Sequence, residues 1–216
     1  MAPTPSNPVE AGVAYAEEFH IEDDILREAR ENGVEWAADP VLPSVGAALC
    51  FLATAINARA VVEIGTGCGV SGLWLLRGMR PDGTLTSVDV ETEHQRLARL
   101  AFTEAGFSGS RVRLITGRAL DVLPRLADGG YDLMFCDATW QEYADCLAEA
   151  LRLLRPGGIV AFDNALAGQR VGDPAQRDPE TVAMRELARL VRSDDRLRPL
   201  MLPLGDGLLA AVTLPG

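Results

Sequence analysis

Lysine is missing from this chain of 216 residues: all 20 of its basic side chains are arginines. A guanidinium keeps its proton across the physiological range, so any mechanism that requires a lysine base is excluded. Positive charge of any kind is in short supply. Thirty-one acids leave a net charge of −11, which argues against general binding to nucleic acid or an anionic membrane, although a local arginine patch stays open. The four cysteines form no C-x-x-C pair: Cys50, Cys136 and Cys146 sit among apolar residues and are read as small buried thiols in a reducing compartment, and Cys68 lies in a glycine loop that asks only for a small residue. No run of about 18 apolar residues occurs, and no charged-then-apolar leader opens the chain. These absences predict a soluble cytoplasmic protein.

What remains is a chain 48% hydrophobic with only 6% aromatics, long enough for one domain with a sizeable core. Residues 1–8, MAPTPSNP, are rich in proline and predicted to be disordered. Residues 9–216 are read as a single domain. Val9 to Gly33 has the spacing of one or two amphipathic helices, and Pro43 and Ser44 start another that runs to Ile56. From Ala60 the pattern alternates. Strands are predicted at 60–64, 84–88, 112–116, 132–136, 158–162, 197–204 and 208–214, and helices at 70–79, 91–104, 119–126, 141–154 and 179–193. Gly- and Pro-rich triplets at 81–83, 128–130, 156–158 and 205–207 read as turns. Alternating strands and helices imply a mostly parallel, doubly wound sheet, and the short GDG link implies an antiparallel hairpin at its end.

The stretch Val61 to Met79, VVEIGTGCGVSGLWLLRGM, reads as strand, tight turn and helix. Three glycines (Gly65, Gly67, Gly69) let backbone bend sharply and approach a ligand closely. The helix beyond them offers unpaired N–H groups. Their spacing is G-x-G-x-G and not the G-x-G-x-x-G of dinucleotide binders. In a doubly wound sheet ligands bind at the carboxyl ends of the strands. Glu63, Asp89, Asp137 and Asp163 all sit at such ends and are expected to share one crevice. Asp89, 24 residues beyond Gly65, suits two ribose hydroxyls. Asp137, Asp163 and Asn164 present hard oxygens that suit Mg²⁺, while an Asp-Asn pair equally suits an ordinary turn.

The segments INARAVVEIGTGCGVSGLWL, SVDVETEHQRLA, GYDLMFCDA, LRPGGIVAFDNAL and LPLGDGL resemble the cation-dependent O-methyltransferases related to catechol and caffeoyl-CoA O-methyltransferases, within the class I S-adenosylmethionine (SAM) methyltransferases. The likeness is collinear over roughly residues 40–210. It implies a Rossmann-like doubly wound seven-stranded sheet with an antiparallel C-terminal hairpin and extra N-terminal helices, SAM as methyl donor, a divalent cation such as Mg²⁺, and a homodimer. It also implies that Val41, Glu63, Gly65, Thr66, Gly67, Ser71, Asp89, Val90, Ala119 and Asp137 hold SAM. Asp137, Asp163 and Asn164 would be the metal ligands, with Asp137 catalytic.

One departure stands out. Where the family commonly reads D-A-D-K-x-x-Y, this chain reads Asp137-Ala138-Thr139-Trp140-Gln141-Glu142-Tyr143. Trp140 replaces the lysine regarded as the base and becomes a candidate substrate contact, by stacking or by covering the cleft. Ala167 stands where plant relatives carry an aromatic residue. Coordination to a cation lowers a hydroxyl's pKa, and a phenol starts near pKa ~10, so a small phenolic, catechol-like acceptor is expected. Aliphatic alcohols should be poor acceptors. The alternatives are a hydroxyuridine of transfer RNA as acceptor, which the acidic balance disfavours, and a SAM-binding protein whose catalysis is weak or lost with the lysine. An NAD-dependent oxidoreductase fits the alternation but not the glycine spacing.

Overall fold

The computed structural model describes residues 7–107 and 109–216. Most of the proline-rich opening, residues 1–6, therefore lies outside the described residues. Helix α1 (Pro8–Glu18) begins inside the segment expected to be disordered. Asn7 is the local reason: its Oδ1 accepts the Glu10 N–H at 2.9 Å and satisfies a first-turn donor. Asp23 does the same for α2 (Asp24–Glu35), accepting the Leu26 N–H. Helix α3 (Pro43–Ala55) opens on proline, whose missing N–H costs nothing there. Its first turn is capped from a distance, because the Glu17 carboxylate takes the Ser44 N–H at 2.9 Å and so ties α1 to α3.

Strands β1 (Ala60–Ile64), β2 (Thr84–Asp89), β3 (Val112–Thr116), β4 (Tyr131–Cys136), β5 (Leu154–Phe162), β6 (Leu197–Leu202) and β7 (Leu208–Thr213) form one sheet. They are joined by α4 (Val70–Gly78), α5 (Thr92–Glu104), α6 (Ala119–Val122), α7 (Tyr143–Leu153) and α8 (Pro179–Ser193). The spatial order is β3-β2-β1-β4-β5-β7-β6. The first five strands are parallel, and β7 runs antiparallel to both β5 and β6. This is the α/β Rossmann-like architecture anticipated above. The order reverses between β1 and β4, which places a crevice beyond their carboxyl ends.

Neighbouring residues of the central strands feed opposite cores. Val61, Leu133, Phe135, Ile159 and Ala161 pack with α2 to α5, whereas Val62, Met134, Cys136, Val160 and Phe162 pack with α6 to α8. Strand side chains alternate across the sheet, so both faces are apolar and both are covered. Each fully buried Leu or Phe contributes about 1.5–3 kcal/mol, which is why this much regular burial fixes the register. Helices α3 and α4 lie close together; a Cβ on Gly46 would meet the Trp74 ring at 2.3 Å.

Several boundaries differ from the sequence reading, and three have a local cause. The triplet 156–158 was expected to be a turn and instead lies within β5, where it makes an irregularity: Gly157 has φ +79° and the pairing with β4 shifts register between Tyr131 and Leu133. The expected helix over 119–126 is α6 followed by a 3₁₀ turn, Leu123–Arg125, since Pro124 cannot supply the helical N–H. The helix expected from Gln141 starts at Tyr143, after a 3₁₀ turn over Trp140–Glu142. Among the described residues no helix is long and apolar enough to cross a membrane.

Candidate functional site

At the reversal of strand order lies a cavity of about 520 Å³. The turn after β1 forms one side. Gly65, Gly67 and Gly69 all have positive φ (90°, 49° and 98°), a region that side-chain-bearing residues avoid. Gly69 is the N-cap of α4, and Ser71 lies in that helix's first turn. Behind the turn runs a buried polar chain. Glu63 Oε1 accepts from Ser71 Oγ at 2.7 Å and Oε2 from Ser87 Oγ at 2.6 Å, and Ser87 meets Thr66 Oγ1 at 2.7 Å. Gln95 from α5 reaches the same group and the Ile115 carbonyl. This network joins β1, β2, α4 and α5 and fixes the turn. Burial drives the Glu63 pKa up to about 7, against the two serine hydroxyls, with the Asp89 charge raising it further.

Asp89, at the end of β2, is held rigidly. Its Oδ2 accepts the Gly67 N–H at 2.9 Å and its Oδ1 the Glu91 N–H at 2.8 Å. Each oxygen keeps a free lone pair for a ligand hydroxyl. Val41, Gly65, Thr66, Gly67, Ser71, Asp89, Val90, Ala119 and Asp137 all line this cavity. Glu63 does not: it lies behind the wall, wholly buried.

A second cavity, of about 420 Å³, adjoins the first; Asp39, Ala138, Thr139 and Asn164 line both. Trp140, Gln141, Tyr143, Met184, Glu180 and Asp206 complete its wall. The Tyr143 hydroxyl donates to the Asp163 carbonyl at 3.2 Å, and its ring packs on Phe162. Ala167 is buried in the core with φ +49° and lines neither cavity.

Asn164 lines both cavities and Asp137 the first, and Asn164 Nδ2 donates to Asp137 Oδ1 at 3.4 Å. Asp163 is 5% exposed, and its Oδ1 has no hydrogen-bond partner. Burial pushes both acids up: Asp137 well above the usual carboxylate range, with Asp163 and Glu63 adding repulsion, and Asp163 to about 7, with Asp206 and Asp39 adding theirs. Two carboxylates and a carboxamide are hard oxygen donors, and an orphaned buried oxygen is what a cation would satisfy. The residues therefore fit a divalent ion. No cluster of three or more His, Cys, Asp and Glu side chains suited to a metal occurs among the described residues; the set here is two carboxylates and the Asn164 carboxamide.

Of the four strand-end acids expected to face one crevice, Asp89 and Asp137 line it, while Glu63 and Asp163 sit beneath it. Sequence reading passed over Asp39, Glu180, Met184 and Asp206. Asp206 was visible only as the centre of a GDG turn, and its carboxylate accepts the Gly168 and Gln169 N–H groups across the cleft.

Residues 15–214 match the model of a family described as O-methyltransferase. A Mycobacteroides abscessus relative named as an O-methyltransferase is 56% identical over 205 residues, covering 95% of each chain. A solved structure of a Corynebacterium glutamicum protein superposes with a TM-score of 0.90 at 32% identity, covering 97% of this chain and 99% of that one. The O-methyltransferase TomG of Streptomyces achromogenes, which is involved in tomaymycin synthesis and was solved with SAM, superposes with a TM-score of 0.85 at 29% identity over 95% of this chain and 96% of its own.

Proposed function

The chain belongs to the O-methyltransferase family, and from that premise we propose that it binds SAM in the first cavity and methylates a hydroxyl of a small phenolic, catechol-like acceptor in the second. The observation that supports this most is that the two cavities share a wall of Asp39, Ala138, Thr139 and Asn164, because donor and acceptor must meet at one point. SAM supplies a methyl group that leaves its sulfonium for the acceptor oxygen as that oxygen gives up its proton.

The chain's own residues do the rest by positioning, which can be worth roughly 7–11 kcal/mol of a barrier. Asp89 takes the two ribose hydroxyls on lone pairs already oriented by Gly67 and Glu91. The glycine turn and Thr66 bring backbone against the donor, Val41 covers its methionine end, and Val90 and Ala119 border the adenine. Glu63 acts from behind by holding Ser71 and Ser87. Asp137, Asp163 and Asn164 would hold a divalent ion such as Mg²⁺, whose charge would acidify an acceptor hydroxyl. Trp140, standing where the family lysine is expected, offers an indole face and cannot accept a proton. With no lysine to take it, the proton is assigned here to water, and turnover depends on an acceptor that is already acidic.

We further take residues 9–216 as one methyltransferase domain, in a cytoplasm that keeps its four free thiols reduced. A homodimer is supported by large side chains left exposed, among them Tyr15, Phe19, Phe51 and Leu200. The net charge of −11 weighs against a transfer RNA acceptor. The replacement of lysine by Trp140 keeps one second reading in play, a SAM-binding protein without turnover. Labelled SAM incubated with a panel of phenols, with and without chelator, tests both: label should enter a catechol and be lost with chelator. Absence of heat when SAM is titrated into the protein would overturn the donor assignment itself.

A further inference from the structure

We infer that His94 is a positioning residue for the methyl donor: its imidazole lines the first cavity beside Asp89 and, through the Trp36 carbonyl, ties the segment 36–41 of the cavity wall to helix α5. The inference rests on the SAM binding proposed above and adds a residue absent from the sequence reading.

The segment follows α2, and Ala37, Ala38, Asp39, Pro40 and Val41 all line the first cavity. Its backbone is strained. Ala37 and Asp39 have φ of 54° and 43°, a left-handed region that residues with a Cβ enter only where their surroundings impose it. On its near side the segment is held by α2. The Ala37 N–H donates to the Val34 carbonyl at 3.3 Å, the Ala38 N–H to the Gly33 carbonyl at 2.8 Å, and Arg30 Nη1 to the Pro40 carbonyl at 3.3 Å. Toward the glycine turn there is room, since a Cβ built on Gly67 would stand 3.5 Å from the Ala38 Cβ. From α5 comes the hydrogen bond of His94, with Nε2 at 3.1 Å from the Trp36 carbonyl oxygen.

A carbonyl oxygen can only accept, so Nε2 carries the hydrogen in that bond. The other ring nitrogen, Nδ1, lies 4.0 Å from Asp89 Oδ2, beyond hydrogen-bond reach. His94 therefore commits its donor to the segment and leaves Asp89, already met by the Gly67 and Glu91 N–H groups, its lone pairs for the ribose. The imidazole is only 14% exposed, so water competes poorly for the bond. Loss of the bond would let a strained wall relax away from the donor, and the donor would leave sooner. Differences in affinity at one site fall mostly on the dissociation rate.

Stopped-flow release of SAM from His94→Ala, His94→Asn and His94→Gln tests this. A glutamine amide extends to the place of Nε2, whereas an asparagine amide ends near Nδ1, so only glutamine can rebuild the bond to Trp36. SAM should leave the Ala and Asn variants about 2–10-fold faster than the parent, the value of one hydrogen bond, and leave the Gln variant within about twofold of the parent rate. Without SAM, hydrogen exchange at the Ala37 and Ala38 amides should quicken in His94→Ala and His94→Asn and not in His94→Gln. Should the Ala variant not fold, the comparison of Asn with Gln decides. Release at the parent rate from Ala or Asn, or equally fast release from all three variants, overturns the inference and leaves SAM binding standing. Faster release without faster exchange at Ala37 and Ala38 overturns the tie to the segment. A parent that takes up no SAM removes the donor assignment and this inference with it.

Discussion

Gly65 and Asp137 meet where the strand order reverses: a Cβ built on Gly65 would lie 2.0 Å from the Asp137 carbonyl oxygen. The Asp137 N–H donates to the Ile64 carbonyl at 2.8 Å, and the Gly65 N–H to the Val88 carbonyl at 2.9 Å. The ends of β1, β2 and β4 are thereby locked together, and the first cavity is built on that lock.

Gly65→Ala should accordingly damage both fold and site. The left-handed φ of 90° costs an alanine about 1–2 kcal/mol, and the backbone contact adds about 1–3 kcal/mol of overpacking. Urea unfolding should show a loss of about 2–5 kcal/mol, and SAM titration a loss of affinity of about tenfold or more. Unchanged stability would mean that the two strand ends can separate freely.

Glu63 sets a pH dependence. Its folded pKa of about 7 lies above the ordinary 4.5, so the folded state holds the proton more tightly than the unfolded chain. That stabilisation is complete below about pH 4.5 and is lost as the pH rises through 7. The difference amounts to about 3 kcal/mol. Glu63→Gln stays neutral throughout, so relative to the parent it should gain stability between pH 4.5 and 8. Parallel denaturation curves across that range would refute the buried-acid assignment.

Metal alone should stabilise the protein. At a Mg²⁺ concentration about 100 times its dissociation constant, binding to the folded state adds about 2.7 kcal/mol and raises the unfolding temperature. Asp163→Asn removes the carboxylate whose Oδ1 is unpartnered and should respond little to the ion. An equal response in parent and variant would place the ion elsewhere.

Trp140 lines only the second cavity. Trp140→Ala should therefore raise the acceptor KM about 2–10-fold, the value of one aromatic contact, with SAM affinity within about twofold of the parent. A matching loss of SAM affinity would show that the two cavities are not separate sites.

The alternation of apolar strands with amphipathic helices was legible because both faces of the sheet are buried, so β1 and β3 appear at their expected bounds. The lining of the first cavity was legible for a related reason: a tight turn at a strand end demands glycine, and the acid that ends the neighbouring strand falls beside it. Glu63 was misplaced because sequence position cannot tell a side chain that points into a crevice from one that points back under it, where Ser71 and Ser87 wait. The second cavity was mostly hidden. Asp39, Glu180 and Asp206 lie on loops and a helix end with no shared spacing, and only the closing of the fold brings them to one wall.

Strand β7 is inserted between β5 and the edge strand β6 although it follows both in the chain. During synthesis the sheet therefore cannot be completed in the order in which it emerges. Leu197–Leu202 must wait beside an unfilled gap, with the polar edge of β5 uncovered, until Leu208–Thr213 leaves the ribosome. A nascent chain stalled short of residue 208 would leave the turn that carries Asp206 without its second strand, and the second cavity without that part of its wall.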